Sequence, residues 1–100
     1  MNYTFKENQL DYETYYILRK SVKWNNWSRE QAEIALGNSY YTVTVFDNKV
    51  PIGMGRAVGD GIYFMIMDIV VKPEYQRMGI GSTIIHMLLE HIEKNMWKSC

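Results

Sequence analysis

Residues Asp68–Ile85 read DIVVKPEYQRMGIGSTII. An apolar strand runs into a proline turn, then into a loop that carries Gly79 and Gly81, then into the opening of an amphipathic helix. Glycine is a poor helix former, costing about 1 kcal/mol relative to alanine, so a pair of them at this junction needs a reason. The first turn of a helix presents N–H groups without intrahelical partners and the positive end of the helix dipole, which together attract an anion. Side chains at positions 79 and 81 would obstruct a phosphate there. Bare backbone leaves the N–H groups of Met78, Ile80, Ser82 and Thr83 accessible, with Gln76 and Arg77 just upstream in reach of the same anion. The spacing is equally compatible with a tight turn that needs positive φ at one glycine and close packing at the other. A P-loop is disfavoured because no Lys precedes Ser82. A dinucleotide fingerprint is disfavoured as well, because its third glycine would fall at Ile84.

Upstream of this stretch, IYFMIMDIVV (62–71) is apolar at nearly every position, which predicts a strand covered on both faces and paired on both edges. YYTVTVF and VPIGMGRAV, joined by DNK, read as a hairpin, and GDG turns the second of these into the apolar strand. Towards the N-terminus, Ser28 with Gln31 three residues on predicts a capping box for a helix over REQAEIAL, ending at the Gly37–Asn38 pair. Tyr15, Leu18 and Val22 form the stripe of an earlier helix over 11–24, and NYTFKE predicts a first, edge strand. Downstream, Ile84, Ile85, Leu88, Leu89, Ile92 and Met96 form the apolar face of a last helix, with Glu90, Glu93, Lys94 and Lys98 outside. The expectation is one α/β (α+β) domain over 1–100, a mainly antiparallel sheet with flanking helices.

Composition narrows the function classes. With 47% hydrophobic and 22% charged residues the chain has a globular composition. Its 11 basic and 11 acidic residues supply no long-range field for nucleic acid or an anionic membrane, so neither partner is expected. No apolar run approaches the roughly 18 residues of a spanning helix. One cysteine, Cys100, allows no internal disulfide, and with no signal peptide the expected compartment is the cytoplasm. His86 and His91 are five apart, which is not the spacing of two metal ligands on one helical face, so no metal is expected.

The stretch resembles the acetyl-CoA-binding signature of the GNAT superfamily of N-acetyltransferases. That pattern is Gln or Arg, two residues, Gly, one residue, Gly or Ala, and Gln76, Gly79 and Gly81 fill it. Val71-Lys72-Pro73 matches the family's strand ending, and the order of strand, two helices and three-strand meander extends the likeness over nearly the whole chain. The resemblance implies that the coenzyme A pyrophosphate rests on the backbone N–H groups of Met78–Thr83. It implies that the pantetheine arm runs along Ile69, Val70 and Val71, and that an N–H near Ile69 polarises the thioester carbonyl. The implied reaction is direct attack on the thioester by a primary amine of a small molecule or peptide.

Several positions depart from the family's pattern. Where many members carry a glutamate as general base this chain has Met65, and Asp68 is the nearest carboxylate, expected on the opposite face from Ile69 unless a bulge intervenes. Trp24 and Trp27 fall where the family borders its acceptor, although half-buried aromatics at a helix corner would also explain them. The family's next strand, and the helical tyrosine that protonates the departing thiolate in some members, do not follow. The chain is therefore expected to be a shortened version or to complete its sheet with a second copy as a homodimer. The alternative function is an inactive acetyl-CoA-binding or dimerisation module.

Overall fold

The computed structural model describes residues 3–97, and the side chains of 3–95. The elements in chain order are β1 (Tyr3–Glu7), α1 (Tyr12–Ser21), α2 (Arg29–Gly37), β2 (Tyr41–Asp47), β3 (Val50–Gly59), β4 (Phe64–Val71), a 3₁₀ turn (Pro73–Tyr75) and α3 (Ile80–Trp97). The four strands form one antiparallel sheet in the order β1-β2-β3-β4. This is the mixed α/β fold with an antiparallel sheet and flanking helices that the sequence predicts.

Local chemistry accounts for most boundaries. Asp11 caps α1 by accepting from the Thr14 N–H at 2.9 Å, and Ser28 caps α2 by accepting from the Gln31 N–H at 3.2 Å. Helix α1 is shorter than its apolar stripe predicts, because the N–H groups of Lys23 and Trp24 turn back to the carbonyls of Lys20 and Arg19 and Lys23 adopts φ +64°. Helix α2 ends without a left-handed residue, since Asn38 has φ −98° and satisfies the Ile34 carbonyl with its own side chain. At the GDG turn the Asp60 carboxylate accepts from the N–H groups of Ile62 and Tyr63, so β4 begins at Phe64, two residues later than expected.

The sheet is covered on both faces, but unequally. Helix α3 buries Ile80, Ile84, Leu88 and Ile92 against Val43, Val45, Ile52 and Ala57. That stripe has a period of four, so Ile85 and Leu89, expected on the buried face, remain exposed. The side chain of Met96, Lys98 and Cys100 lie outside the described residues. On the other face α1 and α2 bring Tyr15, Leu18 and Ala32 onto Met54 and Val70. Each fully buried aliphatic side chain contributes about 1.5–3 kcal/mol.

Strand β4 is corrected from the expectation. Its only described partner is β3, and Met65 and Met67 are 63% and 38% exposed, so it is a sheet edge covered on part of its length. The His91 ring stacks on Tyr41 with centroids 3.8 Å apart.

Candidate functional site

The junction of β4 and α3 forms a cavity of about 350 Å³. Ile69 and Val71 of β4, Tyr75, Gln76 and Arg77 of the connection, and Gly79, Ile80, Gly81 and Ser82 of the helix start border it. Two ties hold the connection in place. The Tyr75 hydroxyl donates to Asp47 at 2.7 Å, and the Gln76 side-chain amide donates to the Val71 carbonyl at 3.0 Å. Gln76 therefore shapes the loop from below. Among the remaining predicted positions, Val70 is buried with Met54, Met78 is half exposed beside Tyr3, and Thr83 donates its hydroxyl to the Gly79 carbonyl.

The two glycines separate here. Gly79 has φ +81°, a left-handed conformation that side chains resist. Gly81 is helical, and a Cβ built there would meet only Val71 Cγ2 at 3.7 Å, an ordinary contact. Close packing thus fails to explain Gly81. What a side chain at 81 would do is stand over the first turn of α3, where the Thr83 N–H is bonded to Gly79 and the N–H groups of 80–82 precede the helix's own ladder. The arrangement fits an anionic, elongated ligand lying over bare backbone.

At the bulge of β4, next to this cavity, the backbone is dense with side-chain contacts. Arg56 pairs with Met67 and Met54 with Val70, so Asp68 and Ile69 together face Gly55. This bulge gives Asp68 φ +56°, a conformation that Asp tolerates better than most residues. The Asp68 carboxylate accepts from Arg19 Nη1 at 2.7 Å, from Arg56 Nε at 2.8 Å and from the Tyr15 hydroxyl at 3.0 Å. Burial, reinforced by the neighbouring carboxylate, raises the Tyr15 pKa and keeps it a donor. Asp68 thus lies where both guanidiniums and the hydroxyl fill it, the geometry of a brace for the bulge. Met65 stands exposed on the same strand with no proton-accepting group.

Two further cavities flank this brace. One, about 340 Å³, is lined by Tyr15, Arg19, Trp27, Gln31, Ala35, Arg56, Met67 and Asp68. The other, about 530 Å³, is lined by Arg19 and the run Lys23–Trp27. Trp24 and Trp27 are 43% and 56% exposed, half-buried as aromatics at a helix corner would be, and Trp24 lies over the Arg19 guanidinium at 5.2 Å. Tyr15, Arg19 and Arg56 carry this region, and the reading of the sequence missed them. The one available signal was an arginine inside the otherwise apolar VPIGMGRAV strand. Among the described residues no three His, Cys, Asp or Glu side chains are grouped to hold a metal ion, and no helix is long and apolar enough to cross a membrane.

Comparison with known proteins adds to this geometry. The model of the Acetyltransferase (GNAT) family matches residues 3–99. An uncharacterized N-acetyltransferase, ycf52, of Pyropia yezoensis is 30% identical over 79 residues, covering 74% of this chain and 45% of its own length. The chain thus spans less than half the length of that relative. A probable acetyltransferase of unknown function from meticillin-resistant Staphylococcus aureus superposes with a TM-score of 0.86 at 35% identity, over 93% of this chain and 71% of its own. The PaiA N-acetyltransferase of Thermoplasma acidophilum, solved in complex with coenzyme A, shares the fold with a TM-score of 0.73 at 17% identity, over 94% of this chain and 74% of its own.

Proposed function

Because this chain belongs to the acetyltransferase (GNAT) family, we propose that it transfers an acetyl group from acetyl-CoA to a primary amine. The observation that carries the reading is Gly81, a helix-opening glycine with no packing reason to be one, beside the left-handed Gly79. In this reading the pyrophosphate lies over the N–H groups of Met78–Ser82, the expected Thr83 donor being taken by the Gly79 carbonyl, and Gly81 keeps the seat clear. The pantetheine arm follows the free edge of β4 at Ile69, Val70 and Val71, adding main-chain hydrogen bonds as an extended peptide does on a sheet edge. Tyr75 and Gln76 fix the loop.

The reaction forms one N–C bond and breaks one C–S bond, and the proton lost by the attacking nitrogen passes through water to the departing thiolate. A backbone N–H at Ile69, exposed by the bulge, stabilises the oxyanion. Asp68 holds that bulge through Arg19 and Arg56. No side chain of this strand removes the proton, so the amine is taken in its neutral form and positioning supplies most of the rate. Trp24 and Trp27 border the acceptor.

Calorimetric titration with acetyl-CoA tests the reading. Saturable binding that Gly81→Glu abolishes supports it, and no binding by the wild-type chain overturns it. A second reading, an inactive acetyl-CoA-binding module that pairs with a second copy along β4, is favoured by the exposed Met65 on an unpaired edge. Acetyl-CoA binding without turnover of any amine, in a sedimenting dimer, would select it.

A further inference from the structure

The two cavities beside the bulge adjoin at Arg19 and Trp27, which line both, and are taken together as one trough. Its walls carry three cationic side chains, Arg19, Lys23 and Arg56, against one carboxylate, Asp68. That carboxylate is already engaged by two guanidiniums and a hydroxyl. Arg56 gives Nε to Asp68 and Nη1 to Ser39 and the Ala35 carbonyl, which leaves its Nη2 without a partner among the described residues. The other walls, Met67, Ala35 and the indole of Trp27, are uncharged. A low-dielectric cleft lined by one sign of charge concentrates the opposite sign.

From this we infer that the acceptor is an amine carrying a carboxylate, such as a free amino acid, with its anionic group drawn to Arg56 and the Lys23 rim. The inference rests on the acetyltransferase reading and goes on to name the acceptor class. Two physical consequences agree with it. Polycationic acceptors meet repulsion from the trough and find no free acid to pair with. The same positive field disfavours an ammonium against a neutral amine beside the bulge, easing the loss of the proton that no side chain of β4 accepts.

Matched pairs provide the test: phenylalanine with phenethylamine, and tyrosine with tyramine. Binding is measured by calorimetry with and without coenzyme A, and turnover by release of free thiol from acetyl-CoA. The amino acid of each pair is expected to bind more tightly, and to show a higher kcat/KM, by at least about tenfold, the scale of one charge-assisted contact. Lys23 is exposed, so Lys23→Glu leaves the fold intact and is expected to shrink that preference about threefold or more. Equal or better binding of the decarboxylated amine overturns the inference while leaving acetyl transfer standing. Failure of every member of the pairs to bind overturns it as well. Failure to bind acetyl-CoA overturns the acetyltransferase reading, and the pair comparison without coenzyme A still decides the charge preference of the trough.

Discussion

Strand β4 serves two ends by opposite means. At its C-terminal end the cavity is made by removing side chains, so that Gly79 and Gly81 leave a helix start bare. At its bulge the wall is made by crowding side chains in, so that one carboxylate meets Tyr15 and Arg19 from α1 and Arg56 from β3. The first kind of site costs little stability and recognises any ligand with the right shape and charge. The second is stabilised only as a set, because a buried ion cluster loses far more when one member goes than it gains by existing. In the proposed function, affinity for acetyl-CoA and choice of acceptor would then be housed in parts of the strand that respond differently to substitution.

The largest effect that would break this contrast is on the bulge. Asp68→Ala strands two guanidiniums, each close to nine-tenths buried, and is expected to cost about 3–5 kcal/mol in urea unfolding. A loss below about 1 kcal/mol would mean that the cluster is not the brace described. At the other end Gly81→Glu is expected to lower acetyl-CoA affinity at least about tenfold, roughly 1.4 kcal/mol. Its carboxylate near the helix start should leave stability unchanged or raise it by about 0.3–1 kcal/mol. Opposite signs in binding and stability would sharpen the division; loss of both would blur it. Gly79→Ala reverses the pattern, with about 1–2 kcal/mol lost to the left-handed backbone. Affinity should fall by less than in Gly81→Glu, because alanine adds only one methyl group at the cavity border.

The smallest effect is seen in alkali. Burial and then the Glu7 carboxylate push the Tyr41 hydroxyl up from its usual value of 10.0, and burial raises Tyr15 likewise. The unfolded chain loses these protons near pH 10 while the folded chain keeps them. Their contribution is therefore full below that pH and is lost as pH rises through the folded values. Urea midpoints should fall above about pH 10, and Tyr41→Phe should flatten that fall. An unchanged slope in the variant would show that Tyr41 does not carry it.

The same contrast decides what could be read in advance. The proposed seat is contiguous: Gln76, Gly79 and Gly81 lie within six positions, and their spacing, followed by a helical stripe, conveys the turn and the helix start. The helix caps at Asp11 and Ser28 and the hairpin are local in the same sense, although only Ser28 was read as one. The brace is not local. Asp68 meets residues 12, 49 and 53 positions away, and no periodicity reports such a meeting. Uniform apolarity misled for β4, because a run of Met and Ile reads alike whether both faces are covered or one stands open. For α3 the stripe was broader on paper than in the fold, since only the Ile80-Ile84-Leu88-Ile92 row reaches the sheet.

Three of the exposed apolar side chains around β4 and its loop, Met65, Met67 and Met78, are thioethers. Oxidants convert such groups to sulfoxides, replacing a soft apolar surface with a strong dipole. Met67 is part of the trough wall, so that end of the strand ages chemically as a preparation is stored in air. The lining of the other cavity contains no methionine, and its backbone N–H groups offer an oxidant nothing to attack. Peroxide treatment followed by methionine sulfoxide reductase would therefore alter the trough wall at Met67, and the loop beside the other cavity at Met78, reversibly and without a single substitution.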